Sequence, residues 1–165
     1  MKNYIDKFSD VPLFDRIAPS ELTQMLQCIG AFVKTFDAGN YVVLDGDPVE
    51  CVGVVITGTI HMIKEDVWGD KTIMAVIGPM QLFGETYVFG ASNKSFVSFI
   101  AVEKTEALFL PFRRVLHTCS KSCAFHQHLV DNMVFAIAQN NLQLTEKLEI
   151  TTKRSLSIPY ISEPA

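Results

Sequence analysis

The sequence predicts a mainly β protein with flanking helices, and three stretches carry that prediction. Across residues 32–111, short runs of β-branched and aromatic residues alternate with turns rich in glycine, aspartate and proline. This pattern is typical of a β-sandwich or a closed barrel. Residues 11–31 before this region and 126–155 after it carry apolar residues at helical spacing instead. We therefore expect a β-barrel that lies between a helical lead-in and one long helix.

The lead-in is predicted to be helical over residues 11–31. Pro19 suits a first helical position, and Gly30 suits the residue that ends a helix. The apolar residues recur in two groups at helical spacing, which are Leu13, Phe14 and Ile17, then Leu22, Met25, Leu26 and Ile29. A helix that binds a partner is the functional alternative.

The barrel region divides into strands at its turns. Residues 37–40, 45–48 and 67–70 have the sequences DAGN, DGDP and VWGD, and these residue types favour turns. The predicted strands are 32–36, 41–44, 51–57, 59–64, 72–77, 95–101 and 106–111.

One stretch inside the barrel region, residues 77–101, has the features of a small-molecule cradle. Gly78 and Pro79 form a turn, and Gly84 precedes Glu85, which can open a short helix. A glycine at a helix start lets a ligand approach the backbone closely. Unpaired N–H groups at a helix start favour anions. The alternative is an ordinary β-turn with an incidental glycine.

Composition excludes several classes of protein. The net charge is −4 without a basic run, which argues against nucleic-acid binding by this chain alone. The sequence has no apolar stretch of 18 residues, and its N-terminus does not have the pattern of a signal peptide. The four cysteines are too few and too unevenly placed for a disulfide framework, so we expect a reduced, cytoplasmic location.

The long helix predicted over residues 126–155 carries a heptad pattern. Its seam repeats at spacings of four and three, as Val130, Val134, Ile137, Asn141, Leu144, Leu148 and Thr151. A second stripe, formed by Leu129, Met133 and Ala136, can pack on the barrel. We expect one face to pack on the chain's own barrel and the seam to form a parallel homodimer, in which Asn141 sets the register. A single intramolecular helix is the alternative.

A cluster of soft metal ligands precedes and opens this helix. Its members are His117, Cys119, Cys123, His126 and His128. Cys119 and Cys123 stand four residues apart, as two ligands on one helix face would. The cluster has no third ligand at a fixed spacing, so we expect no metal, and redox sensing by the two cysteines stays open.

The cradle resembles the phosphate-binding cassette of cyclic-nucleotide-binding domains, through the order GxxxxFGE over residues 78–85 followed by SxxS over 95–98. More narrowly, residues 8–156 resemble bacterial regulators of the Crp/Fnr family, in their turn glycines and in the ending TTKRSL. The resemblance implies a double-stranded β-helix (jelly-roll) barrel, a helical lead-in packed on it and a dimerisation helix. It divides the chain into a lead-in (1–31), a barrel (32–111), a connector with the dimerisation helix (112–156) and an irregular tail (157–165) where the family's winged helix-turn-helix DNA-binding domain is missing.

The resemblance also implies which residues face an effector. In the family an arginine neutralises the cyclic phosphate, and Ser95 stands in its place here, followed by Phe96 where the family has serine. No arginine occurs in residues 77–101, and Lys94 should point away from Ser95. Glu85 matches the glutamate that accepts the ribose hydroxyl. The implied effector site comprises Met62, Met74, Ala75, Gly84, Glu85, Thr86, Ser95 and Phe96.

The expected function is therefore effector sensing and dimerisation within a Crp/Fnr-like transcriptional regulator that does not respond to cyclic AMP and that meets DNA only through a domain absent here. A stand-alone interaction module with a vestigial pocket is the alternative. A metal-dependent enzyme on a cupin-type barrel needs several histidine ligands, and His61 is the single histidine in the strand region. We expect no enzyme activity, no cofactor and no membrane partner.

Overall fold

A computed structural model describes residues 4–90, 92–111, 113–116 and 124–156. Within them the strands are β1 (Phe32–Phe36), β2 (Tyr41–Val43), β3 (Val52–Thr57), β4 (Ile60–Glu65), β5 (Lys71–Ile77), β6 (Leu82–Phe83), β7 (Ser98–Ala101) and β8 (Thr105–Leu110). The helices are α1 (Ile5–Phe8), α2 (Pro19–Ile29), α3 (Glu85–Phe89), α4 (Arg113–Leu116) and α5 (Ala124–Leu156), and a 3₁₀ turn spans Pro12–Phe14.

The strands form two four-stranded antiparallel sheets. The first sheet has the order β1-β8-β3-β6 and the second has the order β2-β7-β4-β5. Strands that are distant in sequence are neighbours in both sheets, as expected for a jelly roll rather than for a chain of hairpins. The predicted fold class is confirmed: a jelly-roll barrel with flanking helices and a long C-terminal helix.

The central strands of the first sheet, β3 and β8, are largely buried on both faces because helices cover their outer side. Along β3, Val52, Val54 and Ile56 pack towards the helices, whereas Val55 packs into the barrel. This alternation follows from the two-residue period of a strand. Gly53 also faces the barrel, and a Cβ at this position would overlap the ring of Phe83. The glycine therefore makes room for an aromatic side chain on the neighbouring strand.

Two hydrophobic cores result from this arrangement. The interior core lies between the sheets and consists of Phe36, Val55, Ile60, Ile77, Phe83, Val97, Phe99, Ala101, Ala107 and Phe109. The helix-facing core joins the outer side of the first sheet to the lead-in and to α5. Its strand members are Val52, Val54, Ile56, Leu108 and Leu110, and its α5 members are Leu129 and Met133.

The lead-in differs from the continuous helical pattern predicted for residues 11–31. It consists of the 3₁₀ turn and α2, with Arg16 between them in a left-handed conformation at φ 61°. The start and the end of α2 are as predicted, because Pro19 is its first residue and Gly30 terminates it at φ 71°. The apolar groups are buried in the helix-facing core. Helical spacing was thus a good guide to burial but not to the break.

The strand predicted for residues 95–101 begins only at Ser98. Before that point the chain pairs with a loop instead of a strand. The N–H of Ser95 donates to the carbonyl of Asp47 at 2.9 Å, and the N–H of Gly46 donates to the carbonyl of Ser95 at 2.9 Å. These bonds hold Ser95 in an extended segment beside the barrel.

The predicted long helix is present as α5 and begins two residues before the predicted range. Leu129 and Met133 are fully buried, so the second predicted stripe does pack on the barrel side, and Ala136 is half-buried. Across the part of the chain that the structure describes, no helix combines the length and the apolar character needed to cross a membrane.

Candidate functional site

The cassette turn connects β6 to α3 through Gly84. This glycine has a φ of 81°, a conformation that residues with a Cβ rarely adopt. A Cβ there would lie 3.3 Å from Cγ1 of Val49 and 3.4 Å from the carbonyl oxygen of Cys51. Both the conformation and the tight space therefore favour glycine. The short helix expected after Gly84 is α3, which contains Glu85 and the exposed Thr86.

The carboxylate of Glu85 is bonded to the long helix. Its Oε1 atom accepts a hydrogen bond from the side-chain amide of Asn140 at 3.0 Å, in a partly buried setting. The cassette and α5 thus meet directly, although Glu85 and Asn140 are 55 positions apart in sequence. Sequence analysis did not find Asn140, because no local spacing relates residues on such distant elements.

The aromatic ring of Tyr87 joins α3 to the strand that follows. Its centroid lies 6.2 Å from that of Phe96 and 6.4 Å from that of Phe99, both in edge-to-face arrangements. Aromatic pairs favour this geometry. Tyr87 is half-buried and packs against the interior core. It is a second residue of the cassette that the sequence patterns did not reveal.

The hydroxyl group of Ser95 is turned towards its own backbone. Ser95 is almost fully buried, with 1% of its surface exposed, and its hydroxyl donates to the carbonyl of Val97 at 2.6 Å. Its neighbours Lys94 and Phe96 are exposed. The side chains thus alternate in direction as expected. The residue predicted to stand in place of the family's arginine is thus a small, internally bonded side chain.

The expected apolar wall is only partly assembled. Met62 of β4 and Ala75 of β5 are register partners and are half-buried, and Met62 packs against the interior core. Met74 instead exposes 56% of its surface. The strand pairing shifts register between Met62 and Ile63, and such an irregularity redirects side chains.

The nearest basic group to Phe96 in the described chain is already bonded. The ammonium group of Lys64 donates to the carbonyl of Phe96 and to Oδ2 of Asp45, each at 2.7 Å. This pair is about half exposed. The Lys64 ammonium group is therefore turned towards Asp45 and the backbone of Phe96.

The thiol of Cys51, whose backbone lies beside Gly84, is half-buried. Burial raises the pKa of this thiol, and the nearby Glu50 carboxylate raises it further. Both effects favour the protonated thiol over the nucleophilic thiolate. Cys51 therefore has the character of a packing residue and not of a reactive one.

The residues of the predicted dimer seam fall into two groups. Val130 and Ile137 are half-buried and pack against the helix-facing core. The others whose side chains are described are exposed, namely Val134, Asn141, Leu144 and Leu148. Thr151 lies on α5, but its side chain is outside the described part.

The expected cluster of soft ligands can be followed only in part. His117, Cys119 and Cys123 lie outside the described residues, whereas His126 and His128 stand half-buried in the first turns of α5. Among the residues that the structure describes, no three histidine, cysteine, aspartate or glutamate side chains are grouped so as to hold a metal ion.

The model of the cyclic nucleotide-binding domain matches residues 33–122, which is more than half of the chain. The chain belongs to the cyclic nucleotide-binding domain family. The residues of the cassette turn, Gly84 and Glu85, lie inside the range that this family model matches. The resemblance derived from the sequence motifs is confirmed at this level.

A curated relative and two solved structures show how far the likeness extends. The cyclic AMP receptor protein of Thermus thermophilus is 29% identical over 99 residues, which are 60% of this chain and 44% of the relative. The crystal structure of the Thermus thermophilus catabolite activator protein has a TM-score of 0.69 at 23% identity and covers 86% of this chain and 63% of that one. The crystal structure of the sensor domain of the transcriptional regulator DNR from Pseudomonas aeruginosa has a TM-score of 0.64 at 20% identity. The match covers 98% of this chain and 97% of that domain.

These structural likenesses show the fold. The chain spans less than half the length of the curated cyclic AMP receptor protein that it matches. It covers 63% of the catabolite activator chain and 97% of the DNR sensor domain.

Proposed function

We propose that this chain is the effector-sensing and dimerisation module of a Crp/Fnr-like transcriptional regulator, and that cyclic AMP is not its effector. The observation that carries the second part is the state of Ser95, which is buried and bonded to the carbonyl of Val97. The first part is supported by the family and by the similar proteins, which include a cyclic AMP receptor protein and a transcriptional regulator's sensor domain.

The absence of an arginine in residues 77–101 argues against a cyclic phosphate as the ligand. A guanidinium group binds a phosphate through two parallel charge-assisted hydrogen bonds. Loss of one partner of such a buried pair costs about 2–5 kcal/mol, which corresponds to about one and a half to three and a half decades of affinity. The hydroxyl of Ser95 cannot replace the missing charge, and Lys64 is engaged with Asp45.

The proposed module has a direct route from effector to dimer. An effector beside Gly84 and Glu85 would contact α3, and Glu85 is bonded to Asn140 of α5. The exposed seam residues of α5 would pair with a second copy as a parallel homodimer. A ligand shifts such an equilibrium only through contacts that differ between the two states, and the contact between the cassette and the helix can differ in this way. The proposal assigns no catalytic role to the chain.

Calorimetric titration with cyclic AMP and cyclic GMP tests this assignment. We expect no binding at submillimolar concentration of either nucleotide. The companion variant is Ser95→Arg, which should raise the affinity for cyclic AMP if the cradle is otherwise intact. Ser92→Arg is the matched control, because it adds the same charge at an exposed position of the preceding loop and should leave the affinity unchanged.

The results separate the parts of the proposal. Submillimolar affinity of the parent chain for either nucleotide contradicts the conclusion drawn from Ser95. If Ser95→Arg retains the cooperative thermal unfolding of the parent but still binds no nucleotide, the pocket has diverged in shape as well as in charge.

One observation favours a second candidate, a stand-alone interaction module with a vestigial pocket. The ring of Tyr87 rests against Phe96 and Phe99 at the cassette, where it fills space beside the cradle with the chain's own side chains. The gene sequence beyond codon 165 discriminates between the candidates. An in-frame helix-turn-helix segment supports the regulator, and a stop codon supports the stand-alone module.

A further inference from the structure

The contact between Glu85 and Asn140 joins two elements that share little else. The helix α3 has no fully buried side chain. On the α5 side, Asn140 is half-buried, whereas its neighbours Gln139 and Asn141 are exposed. A hydrogen bond to a carboxylate is stronger than a neutral one, and partial burial protects it from competition by water. The bond is therefore a specific attachment of the cassette to the long helix.

We propose that Asn140 is a latch that occupies the Glu85 carboxylate in the unliganded protein and that an effector must displace. This inference rests on the proposed function, in which Glu85 is the acceptor for a donor group of the effector. The side-chain amide of Asn140 supplies the same chemistry, an N–H donor at 3.0 Å from Oε1. An effector with a hydroxyl or amino donor then competes with α5 for the carboxylate.

The latch explains how occupancy of the cassette reaches the helix. While the bond is made, α3 and α5 are held together. When an effector takes the carboxylate, α5 loses this attachment and keeps only its packing through residues such as Leu129 and Met133. In the free protein, the state in which the Glu85 carboxylate is available to an effector is then a minor one. The apparent affinity for the effector falls in proportion to the fraction of molecules in that state. Removal of the latch should remove that cost.

The first test needs no ligand. Asn140→Asp keeps the size of the side chain but replaces its donor by a second carboxylate facing Glu85, and Gln139→Glu makes the same change of charge at the exposed neighbouring position. The reporters are the amides of Tyr87 and Val88, which both donate to the carbonyl of Gly84 and hold the first turn of α3.

We expect Asn140→Asp to accelerate hydrogen exchange at these two amides by about three- to tenfold, the range expected for loss of one charge-assisted bond at a partly exposed site. Gln139→Glu should leave the exchange rates of the parent unchanged. In a Glu85→Ala background, Asn140→Asp should add nothing further. Equal exchange in the parent and in both acidic variants would overturn the latch.

The second test measures competition directly. In a Ser95→Arg background, Asn140→Ala should bind cyclic AMP about three- to tenfold more tightly than Ser95→Arg alone. Gln139→Ala in the same background should not change the affinity. Weaker binding by Asn140→Ala would mean that Asn140 holds the ligand instead of competing with it, and the latch is then wrong. A Ser95→Arg protein that binds no nucleotide counts against the cradle of the proposed function, and the exchange measurement decides the latch independently.

Discussion

The first half of α5, up to Asn140, buries Leu129 and Met133 but also exposes Val134 and Phe135, whereas every large apolar side chain described in the second half is exposed. Leu129 and Met133 are buried in the helix-facing core. The exposed apolar residues of the second half are Leu142, Leu144, Leu148 and Ile150, with exposed fractions between 56% and 69%. The same heptad spacing runs through both halves, so periodicity alone does not tell an intramolecular contact from an intermolecular one.

The difference shows what each half depends on. A large apolar side chain stabilises the protein when it is buried and not when it faces solvent. In the first half, the lead-in and the first sheet bury Leu129 and Met133. Exposed apolar residues in a row are typical of a protein–protein interface. We propose that the seam residues Leu144 and Leu148 pair with the same residues of a second copy. Three experiments separate the two halves, in order of decreasing effect.

Leu129→Ala should have the largest effect on stability. Leu129 is fully buried, and truncation of a buried leucine typically lowers the free energy of unfolding by about 2–5 kcal/mol, because apolar contacts are lost and a cavity remains. Leu142→Ala is the control in the exposed half and should change the free energy by no more than about 0.5 kcal/mol. Urea unfolding at one fixed protein concentration measures both variants, since any dimer makes stability depend on concentration. Equal losses would show that the halves do not differ.

Leu144→Asp should have the second largest effect, on assembly rather than on folding. In the proposed parallel dimer it places two carboxylates against each other in an apolar seam, at a cost of about 3 kcal/mol. This corresponds to about a hundredfold weaker dimer. Sedimentation velocity at micromolar concentration should show the parent as a dimer and Leu144→Asp as a folded monomer. Leu142→Asp, which lies off the seam, should remain dimeric. A monomeric parent would refute the seam.

The barrel was predictable from sequence because its signals are local. Turn residues such as Gly46 and Gly69 adopt positive φ, as expected where glycine marks a tight turn. The predicted strands were located to within one residue at either end, apart from β7, and the two-residue strand β6 was not predicted. Strand β7 was predicted too long because Ser95 bonds to the loop at Gly46 and Asp47 and the chain bends at residues 96 and 97 before β7 begins.

The features that the sequence did not reveal depend on contacts between distant segments. The break in the lead-in at Arg16 is one case, because the carbonyl groups beside it are bonded by a side chain of α5. The bond from Asn140 to Glu85 is another. In the cradle, the order of residues along the chain predicted roles for Gly84 and Glu85 and the replacement of the family's arginine, and these stay predictions. The sequence could not show that the Ser95 hydroxyl is bonded to the carbonyl of Val97.

Asn132→Ala should have the smallest of the three effects, and it tests how the first half of α5 is attached. The side-chain amide of Asn132 donates to the carbonyl of Leu13 at 3.0 Å and to that of Asp15 at 2.8 Å. It thereby fixes the 3₁₀ turn Pro12–Phe14 on the helix. Truncation leaves these two carbonyls without their donor, and we expect the free energy of unfolding to fall by about 1–2 kcal/mol.

The matched control for this variant is Gln139→Ala, which removes an exposed amide from the same helix and should change stability by less than about 0.5 kcal/mol. Hydrogen exchange distinguishes a local effect from a global one. Loss of the Asn132 amide should accelerate exchange at the N–H groups of Asp15 and Ile17, which bond within the lead-in, before it affects β3 and β8. If exchange in the lead-in stays at the parent rate, the packing of its buried side chains holds this segment on α5 without the two hydrogen bonds. The attachment would then be apolar in the same way as that of Leu129.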